Sequence, residues 1–185
     1  MAVLRRHTTV ADPGEMTMRI QSLVAQARFD SPLGPLTAAA TDKGLAGLWF
    51  DGQAHHPGLL DAPENPRYPL LVKARRELDA YWNKTELKFE VPLDLQGTDF
   101  QRKVWRALLR IRPGSTSTYG VIAASAGSPA AVRAAGAAIG RNPVSIIVPC
   151  HRVLGHDGSL TGYAGGLDRK KALLRLEGAL DASSA

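Results

Sequence analysis

The sequence predicts a mixed α/β (α+β) fold, with an N-terminal antiparallel sheet followed by an almost wholly helical C-terminal half. Three observations predict it. Between Ile20 and Phe50, short β-prone runs alternate with turn-forming residues. From Pro69 onward, apolar residues recur at helical spacing. The charge balance then changes sign at Gly97: residues 1–97 carry 11 Lys/Arg against 12 Asp/Glu, whereas residues 98–185 carry 12 against 5. The expected division is a mobile leader over 1–18, an N-terminal domain over 19–97 and a C-terminal domain over 98–185.

In chain order, Ile20–Phe29, Leu36–Thr41 and Leu45–Phe50 are the expected strands, separated by Ser31-Pro32-Leu33-Gly34-Pro35 and Asp42-Lys43-Gly44. Residues 51–67, rich in Gly, Pro and His, read as a loop. His55 and His56 lack acidic or cysteine partners at ligand spacing, so no metal is expected there. Pro69–Trp82 places Leu71, Ala74, Leu78 and Tyr81 on one helical face. Phe89–Val91 is a short strand candidate. Thr98 and Gln101 form a capping-box pair opening a helix whose apolar face is Phe100, Val104, Ala107, Leu108 and Ile111, with Arg102, Arg106 and Arg110 opposite. A helix over Thr118–Ala126 ends at Gly127. Ser128 is the expected cap of the next, with Pro129 at its first position and Ile139 near its end. Two short helices around a glycine turn form the pattern of a helix-turn-helix. The second is made of Ala, Gly and one arginine, Arg133. Such a surface suits close approach to a duplex through shape and phosphates, and equally suits tight packing in a core. Val144–Val148 is an apolar β-prone run, and a glycine-rich loop precedes the last helix, Leu167–Glu177.

The composition is that of an ordinary globular chain, 44% hydrophobic and 22% charged. No apolar run is long enough to span a membrane, and no apolar segment follows Arg5 and Arg6 to make a secretory signal. One cysteine excludes an internal disulfide, and together with the missing signal it favours a reducing cytoplasm as the expected compartment. Net charge is +6 and the excess lies wholly in the C-terminal half. That implies a polyanionic partner, or simply a basic solvated face.

The single thiol, Cys150, stands in Val148-Pro149-Cys150-His151-Arg152. It is either a small core residue or a nucleophile. As a nucleophile it needs to ionise, and His151 and Arg152 supply a basic neighbourhood for a thiolate held at a stiff strand end by Pro149. Glu177 lies on the apolar side of the last helix, near its C-terminus. A carboxylate there is opposed by the helix dipole and by desolvation, so it is either a frayed surface end or the partner of a buried group. If that group is His151, the three form a Cys–His–Glu relay.

The runs Asn142-Pro143-Val144 through Cys150-His151-Arg152-Val153, and Gly158-Ser159-Leu160-Thr161-Gly162-Tyr163-Ala164-Gly165-Gly166-Leu167, resemble the O6-alkylguanine-DNA alkyltransferases. The resemblance is strong from Thr98 to Glu177 and general before it. It implies a ribonuclease H-like N-terminal domain and a winged helix-turn-helix C-terminal domain that binds DNA and carries the alkyl acceptor. Cys150 is then the acceptor, and His151, acting through a water and held by Glu177, is the base. Asn142 ties the second helix to the active-site strand. Arg133 fills the gap left by an extruded nucleotide, and Tyr119 helps rotate it. Tyr163, Ala164 and Lys170 line the base pocket, with the Cys150 and Val153 carbonyls accepting from the guanine amine. Thr118, Ser128 and Arg141 join Arg133 in contacting DNA. The implied partner is double-stranded DNA, held through the minor groove by a monomer with little sequence preference; cooperativity on DNA is left open. The implied reaction is a single-use transfer needing no cofactor and no metal. The chain lacks the cysteines of relatives that bind zinc, and its length leaves no room for the fused cysteine-rich module of others. Two competing readings are a damage-sensing binder without transfer, disfavoured by Cys150, and a cysteine hydrolase.

Overall fold

The structure, a computed structural model, describes residues 20–181; the leader assigned to 1–18 lies outside them. Three strands, β1 (Ala25–Phe29), β2 (Leu36–Ala40) and β3 (Leu45–Phe50), form an antiparallel meander in that order. Phe29 faces Leu36 across the first turn and Leu36 faces Phe50 across the sheet, with a bulge at Ala39/Ala40. The first strand starts later than Ile20 because Ser22 turns the chain with φ 59°, and Gln21 is tied to the Gln96 side chain.

Helix α1 (Pro69–Trp82) packs on this sheet through Leu71, Ala74, Leu78 and Tyr81, the face read from the sequence. Each of these apolar side chains contributes about 1.5–3 kcal/mol when fully buried, alanine less. No strand forms at Phe89–Val91. The backbone N–H groups of Glu90 and Val91 donate instead to Glu77 Oε2 of α1, at 2.9 and 3.0 Å, so a side chain takes the place of a ladder.

Helix α2 (Asp99–Leu108) opens with the full capping box of Thr98 and Gln101. Its arginine stripe is not wholly free, because Arg102 donates to Gly97 O and Asp99. Trp105, fully buried, donates from Nε1 to Ala138 O at 2.8 Å and so fastens α2 to α4 (Val132–Gly140). A two-stranded parallel pair, β4 (Ser117–Thr118) with β5 (Val153–Leu154), brackets the helix-turn-helix. Helix α3 (Tyr119–Ser125) is capped by the Thr118 hydroxyl. It ends in a Schellman turn: Gly127, at φ 80°, donates to Ala124 O, and Ser128 N donates to Ala123 O. Ser128 is therefore spent on closing α3. The chain makes one more turn, Ala131 N to Ser128 O, and α4 begins at Val132 with Ala131 as its cap, not at Pro129. Helix α5 (Leu167–Leu176) closes the fold, with Glu177 as its C-cap.

Val144–Val148 is not a strand either. One rung forms, where Val144 pairs in parallel with Leu48, flanked by Leu48 N to Pro143 O and Ser145 N to Leu48 O. That rung covers the edge of β3 and joins the two halves of the chain. Among the described residues, no helix is long and apolar enough to cross a membrane.

Candidate active site

Cys150 lies where this irregular segment enters a single 3-10 turn, Cys150–Arg152, rather than at a strand end. Just before it, Ile146 adopts φ 73°, a left-handed conformation that a β-branched residue strongly resists. The corner is held by Asn142, which is buried. Its Oδ1 accepts from Val144 N at 3.0 Å, and its Nδ2 donates to Val148 O at 2.8 Å and to Cys150 Sγ at 3.0 Å. One amide thus shapes the loop and hydrogen-bonds the sulfur.

His151 and Glu177 meet as the sequence suggested. Both side chains are fully buried, and His151 Nε2 lies 2.8 Å from Glu177 Oε1. With Nε2–H donating to the carboxylate, Nδ1 is left as an acceptor, and it meets no protein partner. Arg152 departs from expectation. It faces Glu177 and not the thiol, donating from Nε to Oε2 and from Nη2 to Oε1, both at 2.8 Å. Its Nη1 donates to Ile111 O at 2.5 Å. Tyr81 of α1 adds a further donor, its hydroxyl 2.7 Å from Glu177 Oε1.

The electrostatics follow from burial. Desolvation raises the Glu177 carboxyl, but hydrogen bonds from His151 and Arg152, with the Arg152 charge, outweigh it and hold it at about 2. Burial lowers His151 below its ordinary value, so the ring rests neutral despite its carboxylate partner. Burial pushes the Cys150 thiol up to about 11, with Asn142 and Lys170 offsetting only part of the effect. A basic neighbourhood thus does not make a resting thiolate here, because burial favours the protonated thiol at neutral pH.

Cys150 is 4% exposed, yet it lines a cavity of about 220 Å³. That is smaller than pockets for drug-sized ligands, about 300–1,000 Å³, and suits one flat heterocycle. Its walls are Tyr119 of α3, Gly136, Ile139 and Gly140 of α4, and Gly162, Tyr163 and Ala164 of the glycine-rich loop. The Tyr163 ring stands edge-on to His151, with centroids 6.5 Å apart, and Tyr119 Oη donates to Thr161 O at 3.2 Å. Lys170 and Val153 do not line it. The buried Lys170 ammonium donates to the carbonyls of Val153, Thr161 and Gly162, gathering the loop from behind. The Val153 carbonyl is thereby already engaged. Arg133 is exposed in the first turn of α4, Arg141 is exposed at its C-cap, Thr118 caps α3 and Ser128 lies in the turn between them. The tight-packing reading of α4 holds for one face only: Ala135, Ala138 and Ile139 are buried, while Arg133, Ala134 and Ala137 face solvent.

Sequence reasoning missed the last wall, Ala54 and His55 from the N-terminal domain. Ala54 N donates to Ala164 O at 2.9 Å, and the buried Gln53 Oε1 accepts from Ser145 Oγ at 3.1 Å. No local pattern marks these residues, because their partners lie about a hundred positions away. A larger groove of about 1110 Å³, lined by charges of both signs including Asp42, Lys43, Asp94 and Arg102, does not reach Cys150. Among the described residues, no group of three or more His, Cys, Asp or Glu is placed to hold a metal ion.

Comparison with known proteins accounts for both halves. The DNA-binding domain of 6-O-methylguanine DNA methyltransferase matches residues 99–179, and the ribonuclease-like domain of the same family matches 24–95. The chain belongs to the 6-O-methylguanine DNA methyltransferase family. A methylated-DNA–protein-cysteine methyltransferase of Mycolicibacterium paratuberculosis is 49% identical over 148 residues, 80% of this chain and 88% of the relative. One of Methanosarcina barkeri is 48% identical over 150 residues, covering 80% and 94%. Among structures, Mycobacterium tuberculosis OGT, solved in complex with DNA, superposes with a TM-score of 0.78 at 46% identity, covering 84% of this chain and 94% of that one. The family's two-domain α/β fold is therefore the fold of this chain, and the methyltransferase resemblance read from the Cys150 motif holds.

Proposed function

We propose that this protein repairs O6-alkylguanine in duplex DNA by moving the alkyl group irreversibly onto Cys150 after the damaged nucleotide has been flipped out of the helix. The observation that carries this reading is the single thiol at the wall of a base-sized cavity, hydrogen-bonded by Asn142 and followed directly by a neutral His151 whose Nδ1 meets no protein partner. A thiol so enclosed cannot reach an atom inside stacked DNA, so the base must come to it, at an unstacking cost of a few kcal/mol.

The exposed Arg133 enters the vacated stack from the minor groove and offsets that cost, while Tyr119 guides the rotating nucleotide. Thr118, Ser128 and Arg141 hold the backbone with little regard to sequence. Tyr163 and Ala164 hold the base, and the Cys150 carbonyl accepts from its amine. His151 Nδ1, acting through a water, takes the thiol proton, and Glu177 and Arg152 keep the ring in the tautomer that can do so. Sγ then attacks the sp³ alkyl carbon. The S–C bond forms, the C–O6 bond breaks, its electron pair enters the purine, and the proton shed by sulfur returns to the departing guanine. The thioether has no ready route to hydrolysis, so each molecule acts once, and no cofactor is needed because the lesion supplies the alkyl group. O4-alkylthymine presents the same oxygen-bound carbon and is the second substrate to try. The protein is proposed to work as a monomer in the cytoplasm.

The test is to mix the protein with a duplex containing O6-methylguanine and weigh its peptides. One methyl group on the Cys150 peptide, saturating at one equivalent, is the expected result. Cys150→Ala should bind the duplex and leave the lesion intact. Catalytic turnover beyond one equivalent, or an unmodified Cys150 peptide after repair, would sink the proposal.

A further inference from the structure

We infer that Tyr81, in the N-terminal domain, is a positioning residue of this site, its hydroxyl acting through Glu177 to restrain the proton affinity of His151. The inference rests on the reading of His151 as the base. Tyr81 lies 96 positions from Glu177 in sequence, yet its Oη donates to Glu177 Oε1 at 2.7 Å. The same oxygen accepts from His151 Nε2 and from Arg152 Nη2, each at 2.8 Å. Donors that stabilise a carboxylate reduce the charge it can offer to any one of them. Glu177 therefore favours an imidazolium at His151 less than an unshared carboxylate would. The ring of Tyr81 is fully buried and fixed against Trp82 and Phe89, with centroids 5.1 and 5.3 Å away. Burial and the Glu177 charge drive its ionisation far above the usual phenol range, so the hydroxyl is a permanent donor. The other groups facing His151 are Arg152 and Cys150 in its own turn, Lys170 of α5 and Tyr163 of the glycine-rich loop, and a change at Tyr81 removes none of them. A restrained base suits the task, because a histidine already protonated at neutral pH accepts nothing from the thiol.

Tyr81→Phe keeps the ring and deletes only the hydroxyl. The acid limb of the single-turnover transfer rate on an O6-methylguanine duplex should move up by about half a pH unit or more. The NMR titration of the His151 ring should move with it, while duplex affinity, measured in a Cys150→Ala background, stays unchanged. Site-specific 3-fluorotyrosine at position 81, a stronger donor of similar shape, should move both readouts down, and it keeps the test alive should the phenylalanine variant not fold. Phe89→Leu disturbs the same aromatic packing without touching the hydroxyl; it should lower the Tm and leave the limb in place. An unmoved limb and ring titration, with only a lower Tm, would overturn the inference and leave Tyr81 as domain packing. If His151→Gln leaves the limb of the parent protein intact, that limb does not belong to His151, and the base assignment fails together with the inference.

Discussion

Asn142 ties three parts of the reactive corner together. Its amide satisfies Val144 N and Val148 O and also hydrogen-bonds the sulfur. A hydrogen bond to a developing thiolate contributes about 1.5–3 kcal/mol. Asn142→Ala should therefore slow single-turnover transfer by roughly 10- to 100-fold. The same variant leaves the buried Val144 N–H unpaired, while Val148 O keeps Cys150 N as a donor, so its urea midpoint should fall by the equivalent of about 1–3 kcal/mol. Asn142→Asp keeps the acceptor but sets a negative charge beside the sulfur, and should transfer more slowly still. At this scale the sequence made the grouping of residues legible wherever they sit together: Cys150, His151 and Asn142 share one motif. It also placed Glu177, because a carboxylate on an apolar face needs a partner. What escaped it was direction. Arg152 turns towards Glu177, 25 positions away, and Lys170 turns towards one carbonyl of β5 and two of the loop. Adjacency in sequence does not decide such choices; the strongest acceptor within reach does.

The helix-turn-helix shows how one residue can serve two elements. Ser128-Pro129 carries an ordinary helix-start signal, but Ser128 completes the Schellman turn of α3, and the start of α4 slides to Val132. Gly127, at φ 80°, makes that turn possible. Gly127→Ala should lower stability by about 1 kcal/mol, read from thermal unfolding. The periodic helices α1 and α2 were legible because their apolar spacing and caps are local. The expected strands at Phe89–Val91 and Val144–Val148 were not, since Glu77 claims the N–H groups of one and the edge of β3 claims a single rung of the other. Arg133 belongs to this scale too. Arg133→Ala should depress repair of duplex DNA well beyond its effect on free O6-alkylguanine base, as measured by competing single-turnover rates; equal losses would remove it from the base stack.

For the molecule as a whole, the buried ionisable groups set limits on pH. Folded His151 is lowered from its ordinary 6.5, so below that pH the unfolded chain gains protons that the native state refuses. Glu177, lowered from 4.5 to about 2, acts in the same direction below 4.5. Stability should decline as pH falls from about 6.5 and more steeply below 4.5, the Glu177 contribution being on the order of 3 kcal/mol. Cys150 is raised from 9.0 to about 11, so the unfolded thiol ionises first and stability should also fall as pH climbs above 9. Urea midpoints across pH should show both limbs. Cys150→Ala should erase the part that begins near 9 and leave the fall at higher pH, where Tyr81 and Tyr163, both raised by burial, hold their protons. The backbone at Ile146 adds a last consequence. A β-branched residue with φ 73° is tolerated only while its surroundings enforce it, at a penalty of about 1–3 kcal/mol. When solvent begins to loosen the interior, that bend should be among the first places to relax, carrying the reactive corner out of register. Repair competence should therefore vanish at lower denaturant concentrations than helical circular dichroism, so that a damaged or ageing molecule falls silent before it comes apart.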